Sequence, residues 1–323
     1  MTVARTVALL CALPLVSALF GGCFTGVEST PRIDTSDVKR KGADGTKAEQ
    51  LFLSDVTPQA PSEWKRGKRF RVTDSRIKRI FSPQSSPTDN LPGQDIIFEE
   101  MNAARTLTGD DATELTFGTP DGRHFYYRVS SLDSIKVDTI PSLEIPFAID
   151  LDIVEEIDRR LRGRNLFITT PAWYTPDGSD FKAINGLRHI EVKVDSVGCG
   201  NVNFPAAVYF SIADPRLASR IKDKPNAVLM SIGSSRASTR NFETLFAFDN
   251  PRKLHPLIRD DAWELIIASQ IRAGMTREEC RLALGAPTEV IRIPTYAGMS
   301  ERWSYSDGIF LIFEDGFLSQ FRK

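Results

Sequence analysis

EVIRIPTYAGMSERWSYSDGIFLIFEDGFLSQFRK, residues 289–323, decides how the end of the chain folds. Short apolar and aromatic runs are centred on Val290–Ile293, Glu301–Tyr305, Ile309–Phe313 and Phe317–Phe321. Asp307-Gly308 and Asp315-Gly316 separate the last three. Asp-Gly is a strong two-residue hairpin signal because both central positions tolerate positive φ. Runs of this kind between turn residues predict a small antiparallel sheet.

Upstream of it the spacing turns helical. From Asp260 to Ile271, Trp263, Ile266, Ile267 and Ile271 lie on one stripe, and Gly274-Met275 is the expected stop. Thr276-Arg277-Glu278-Glu279 then predicts a capping box, with the Thr276 hydroxyl accepting from the third helical amide and Glu279 returning to the cap's own amide. Cys280, Leu282 and Leu284 follow, before Gly285 and Pro287 close the helix.

The run Ala273-Gly274-Met275-Thr276-Arg277-Glu278-Glu279-Cys280-Arg281-Leu282-Ala283-Leu284-Gly285-Ala286-Pro287 resembles the BamE-like (SmpA/OmlA) outer-membrane lipoprotein domain. That family reads G-M-T, an acidic pair, a hydrophobic run and L-G-x-P, then a sheet. Glu301-Arg302-Trp303-Ser304-Tyr305 and Leu311-Ile312-Phe313-Glu314-Asp315-Gly316 match its later steps, so the likeness covers about residues 261–323. It implies two helices packed on a small antiparallel sheet, and a non-catalytic role in envelope assembly or protein binding. Trp303, Tyr305, Phe310 and Phe313 are then candidate partner-binding residues, with sheet core as the plainer reading.

Between Leu51 and about Pro146, Arg69-Phe70-Arg71-Val72-Thr73, Glu114-Leu115-Thr116-Phe117 and His124-Phe125-Tyr126-Tyr127-Arg128-Val129 alternate as strands, and Pro120-Asp121-Gly122 supplies a turn. A helix follows, with Ile153, Val154, Ile157 and Leu161 on one face and Gly163 as its stop. A second β region runs through Asn165–Thr169, His189–Val194, Ala206–Ile212 and Asn226–Ile232. TPDG recurs at 119–122 and 175–178, a hint of duplicated β-barrel or sandwich regions. The expected class is therefore mainly β with a C-terminal α+β domain. The expected division is a β domain over 51–150, a second over 151–245 and the BamE-like domain over 246–323.

The other end of the chain has a different character. Residues 1–22 carry one charge, Arg5, and an apolar run from Val7 to Phe20 that includes Cys11. That run falls short of the ~20 residues a membrane-spanning helix needs, and reads as a secretory signal. Leu19-Phe20-Gly21-Gly22-Cys23 resembles the bacterial lipobox, which implies cleavage before Cys23 and acylation of that residue, palmitate included. Several acyl chains, each methylene contributing ~0.8 kcal/mol, anchor a protein to a bilayer without a spanning helix. Residues 23–50 are polar and aperiodic and read as a tether of about 30 Å root-mean-square reach. Phe24 stands where Asp signals retention at the inner membrane in many Gram-negative lipoproteins, which by resemblance favours the outer membrane. No acidic cluster of the kind that marks surface export follows Cys23, which favours a periplasm-facing position.

With 41 basic and 42 acidic residues the chain is close to neutral, which excludes a globally basic nucleic-acid binder. His124, His189 and His255 stand far apart, with no H-E-x-x-H spacing, phosphate loop or G-x-S-x-G elbow. No catalytic, cofactor or metal residue is assigned. Cys199 and Cys280 read as unpaired thiols, since distant cysteines bridge only where the fold brings them close. Asp150, Asp152, Glu155 and Glu156 read as a solvated helix N-terminus. Lys65, Arg66, Lys68, Arg69, Arg71, Arg76, Lys78 and Arg79, with Asp74 alone against them, are candidate contacts to anionic lipid or glycan, or else a charge-protected strand edge. The sequence thus favours a lipid-anchored protein that binds a protein partner. The alternatives are a periplasmic hydrolase with a non-linear site and a glycan- or lipid-binding module.

Overall fold

The computed structural model describes residues 47–105, 109, 111–130, 140–232, 240–295 and 298–323. The leader and Cys23 lie outside the described residues, as does most of the expected tether. Its last residues do not: Lys47–Gln50 open helix α1 (Lys47–Phe52). Six residues are too few to form a helix by propensity, so tertiary contacts hold this one. Glu49 is buried and accepts from the Phe248 amide at 2.6 Å, and the Phe52 ring lies 4.9 Å from Phe242 and 5.3 Å from Phe248.

The first sheet contains β1 (Arg69–Val72), β2 (Asp95–Arg105), β3 (Asp111–Gly118), β4 (His124–Ser130) and β5 (Ala148–Asp150). They run antiparallel in the order β4-β3-β2-β1-β5. Phe70 and Val72 point inward and Arg69 and Arg71 outward, as alternation requires. β2 escaped the pattern reading because a bulge between Phe98 and Glu100 shifts its register, and its far half is largely solvated. An aromatic core of Trp64, Phe70, Phe98, Phe117 and Phe125 fills the inner face. The free edge of β4 is covered: Ser82 and Ser86 donate their amides to Tyr126 O at 2.7 Å and His124 O at 2.8 Å.

Helix α2 (Leu151–Leu161) follows as its periodicity predicts, burying Ile153, Val154, Ile157 and Leu161. Gly163 leaves it at φ +79. The second sheet contains β6 (Asn165–Ile168), β7 (Ala172–Asp177), β8 (Asp180–Asn185), β9 (Ile190–Cys199) and β10 (Ala206–Ile212). After the short helix α3 (Pro215–Ala218) come β11 (Asn226–Met230), helix α4 (Phe242–Leu245) and β12 (Phe246–Ala247). The order β12-β6-β9-β10-β11-β7-β8 differs in strand number and connection from the first sheet. The shared TPDG segments therefore reflect shared turn chemistry, with Gly122 at φ +84 and Gly178 at φ +63 closing two hairpins. Among the described residues both sheets are open, so the barrel form of the expectation is corrected.

The C-terminal part contains the short helix α5 (Pro251–Leu254), α6 (Asp260–Ile267), α7 (Arg277–Leu284) and the antiparallel strands β13 (Glu289–Thr295), β14 (Gly298–Ser304), β15 (Phe310–Glu314) and β16 (Phe317–Arg322). The capping box is formed: Glu279 N donates to Thr276 Oγ1 at 3.2 Å and Thr276 N to Glu279 Oε2 at 2.7 Å. Helix α6 stops earlier than Gly274. Ser269 takes φ +55, Gln270 N donates to Leu265 O at 2.8 Å and Ser269 N to Ile266 O at 2.9 Å. This is a Schellman stop with serine where glycine is usual, which hides it from a sequence reading. Asp315 and Gly316 both take positive φ, at +49 and +91. At the other turn only Gly308 does, and Tyr305 N donates to Ile309 O at 2.9 Å, so a three-residue loop replaces the expected two-residue one. Val290, Trp303, Leu311, Phe313 and Leu318 pack on Trp263, Ile266, Ile267, Cys280 and Ala283 in one core with the second sheet.

Candidate functional site

The basic and acidic segments meet where β1 lies beside α2, with Lys68 buried, Asp150 largely buried and Arg69, Asp152 and Glu155 exposed. Lys68 is buried and its ammonium is fully satisfied, donating to Gln59 Oε1 at 3.3 Å, Asp150 Oδ1 at 2.9 Å and Asp152 Oδ2 at 2.7 Å. Asp150 also caps α2, accepting from the Asp152 amide at 3.1 Å. Burial pushes the Asp150 carboxyl above its ordinary value, against the opposing pull of Lys68. Arg69 pairs with Glu155 at 2.5 Å, Arg71 with Asp95, and Arg76 with Asp74 at 2.6 Å. Glu156 pairs with Arg159 and Arg160, both at 2.6 Å. Lys68 and Arg69 thus reach acids 82 to 86 positions away where β1 meets α2, whereas Arg71 pairs across to β2 and Arg76 within its own turn. Burial withdraws Lys68 from any anionic surface and Asp150 from the solvated helix N-terminus, where Asp152 and Glu155 remain exposed. Lys65, Arg66, Lys78 and Arg79 remain exposed.

The aromatic candidates divide by strand parity. Trp303 and Phe313 are buried with ring centroids 4.7 Å apart, and Trp303 Nε1 donates to buried Glu301 at 3.2 Å. Neither is accessible to a partner, so for these two the plainer reading as sheet core holds and the partner-binding one falls. Tyr305, on the same inner face, donates its hydroxyl to Gly285 O at 3.3 Å. Phe310 stands on the opposite face. The register aligns Ile291, Arg302, Ile312 and Gln320 in one row, Ser304, Phe310 and Arg322 in the next, and Ile293, Ser300, Glu314 and Phe317 in a third. No described element packs on this outer face, where Ile293 is 48 % and Phe317 55 % exposed. Of this set the sequence singles out Phe310 alone, because alternation fixes two faces without saying which one the helices cover.

A corner between the second sheet and α7 carries the most perturbed groups. Arg188 is buried and donates to a backbone carbonyl, Leu282 O, at 3.0 Å; burial drives its pKa down to about 10. His189, at φ +57, places Nε2 3.0 Å from the same carbonyl, so Nε2 carries the proton. Its Nδ1 is buried without a hydrogen-bond partner, and burial with the Arg188 charge lowers its pKa to about 4. Together with Tyr305 these groups gather on the carbonyl end of α7, whose attraction for positive charge is outweighed here by burial. Cys280 beneath it is a buried free thiol raised by burial to about 12, and Cys199 is a half-buried free thiol. Both agree with the unpaired reading.

Clefts open on the surface of the described residues. A cleft of about 690 Å³ lies between α1 and α4, with Glu49, Leu53, Val56, Met230, Phe242 and Glu243 among its walls. One of about 400 Å³ and an adjoining one of about 50 Å³ share Ile145, Ile149 and Pro205 where the first two sheets meet. His124 lies 3.2 Å from Glu99 and His255 2.6 Å from Glu278, and neither pair lines any of these clefts. No group of metal-ligating side chains is found among the described residues, and no described helix is long and apolar enough to cross a membrane.

Comparison with known proteins finds no matching family model, no matching curated protein and no matching solved structure.

Proposed function

We propose that this chain is a non-catalytic envelope lipoprotein, anchored to the outer membrane through acylated Cys23 and facing the periplasm. Its C-terminal sheet holds a protein partner in a scaffolding role for envelope assembly or maintenance. The observation that carries the partner-binding reading is the outer face of that sheet. Ile291, Ile293, Phe310, Ile312 and Phe317 lie on it with Arg302 and Arg322 interspersed, while the helices occupy the inner face alone. An uncovered apolar face set among arginines has the composition of a binding patch. The likeness of residues 261–323 to BamE-like domains and the lipobox-like Leu19–Cys23 support the envelope setting.

The test is a photoreactive residue placed at Ile293 or Phe317 and, as a control, at Lys182 on β8. Irradiation in intact envelopes is expected to give one discrete adduct from 293 and 317 and none from 182. Equal labelling at all three, or none at 293 and 317, contradicts the proposal.

A further inference from the structure

Among the described residues, the large apolar side chains turned most openly to solvent are Leu257, 96 % exposed, and Leu254, 63 % exposed. They belong to one braced loop. Asn250 caps α5 by accepting from Arg252 N at 2.9 Å. Arg252 donates to His255 O and to Asp260, both at 2.9 Å, and its guanidinium lies 5.2 Å from the Trp263 ring. His255 is held by Glu278 at 2.6 Å, and Ile258 is buried as the loop re-enters the core. The two leucines are therefore held outward by a fixed scaffold. Their exposure is a property of the fold and not of a loose end.

Charge around the tip balances: Arg252, Lys253 and Arg259 stand against Asp249, Asp260 and Asp261. A strongly charged ligand gains nothing here. Lys253 and Arg259 flank the tip, and such side chains lay their stems along apolar surface while their heads stay in water. That is the chemistry of a lipid–water boundary.

The point where the chain enters the described fold lies beside this loop. Glu49 on α1 accepts from the Phe248 amide at 2.6 Å, and the Phe52 and Phe248 rings meet edge to face at 5.3 Å, just ahead of Asn250. Residues 24–46 connect that point to Cys23. We propose that the 251–258 loop is a second membrane contact, in which Leu254 and Leu257 enter the acyl-chain boundary of the bilayer that holds Cys23. The contact is apolar and independent of anionic headgroups. It rests on the reading of Cys23 as the anchor.

The test uses the full processed chain in a Cys199→Ser background, where Cys280 is buried, with Leu257→Cys or, as a control in the exposed turn between β1 and β2, Gln84→Cys carrying an environment-sensitive fluorophore. The protein is placed on phosphatidylcholine vesicles, and intact mass reads the acyl chains on Cys23 separately. Emission from position 257 is expected to shift to the blue and fall roughly twofold or more when the acyl chains carry a quencher, without sensitivity to salt. Position 84 is expected to stay unchanged. Acylated protein that floats with the vesicles while position 257 reports water overturns the loop contact and leaves the anchor standing. A signal abolished by salt, or one that needs a second protein, also overturns it. Protein without the acyl mass removes the anchor reading, and absence of any shift at 257 with excess vesicles then removes the loop contact too.

Discussion

Lys68 and Asp150, 82 positions apart in the chain, form a buried ion pair at 2.8 Å that joins the start of the first sheet to the N-terminus of α2. The same ammonium holds Asp152, and Asp150 caps the helix, so one lysine fixes how β1, β5 and α2 meet.

Lys68→Met is expected to leave Asp150 buried without a cation and to lose about 3 kcal/mol of stability. Replacing both residues, as Lys68→Met with Asp150→Leu, is expected to recover much of that loss, because no charge then remains buried alone. Urea unfolding of the single and double variants checks this. A single variant as stable as the parent contradicts it.

The His189 corner gives the fold an acid sensitivity. Its folded pKa of about 4 lies below the ordinary value of 6.5, so the unfolded chain binds the proton first. Stability from this group is complete above pH 6.5 and declines as pH falls toward 4, by up to about 3 kcal/mol. Asp150 acts in the opposite sense: its raised pKa means acidification relieves part of its burial cost. His189→Asn, which keeps a residue tolerant of positive φ, is expected to flatten the decline between pH 6.5 and 4.5 in thermal melts, and an unchanged decline assigns it to other groups.

Ser269→Gly is expected to stabilise the chain by about 1 kcal/mol. Serine is held there at φ +55, where glycine has no steric cost, and its hydroxyl is buried without a hydrogen-bond partner among the described residues. A lower melting temperature contradicts the assignment of a Schellman stop.

Thr276→Ala is expected to cost about 1 kcal/mol by removing the acceptor of the Glu279 amide and half of the capping box. Amide exchange is expected to accelerate first in the opening turn of α7. Uniform acceleration across the C-terminal sheet is the contrary result.

What could be read from sequence was what local chemistry sets by itself. Thr276-Arg277-Glu278-Glu279 announces its cap, Asp315-Gly316 its turn, and Ile153, Val154, Ile157 and Leu161 their helix. Elements were missed where tertiary contacts override the local signal. α1 is held by Phe242 and Phe248 from far along the chain, β2 is broken by its bulge, and the β7–β8 hairpin carries Pro176 on a largely exposed pair of strands. The pairing of the charged segments is hidden for a related reason. Lys68 and Arg69 meet Asp150, Asp152 and Glu155 only because the topology places β1 beside α2. Likewise Trp303 and Phe310 are indistinguishable by composition, and only the register puts one in the core and the other on the open face.

The measurement closest to the heart of this account is the intact mass of the mature N-terminal peptide from protein made in a Gram-negative envelope. It is expected to begin at Cys23 and to carry a diacylglycerol with a further acyl chain. A peptide that starts elsewhere, or begins at Cys23 with a bare thiol, contradicts it.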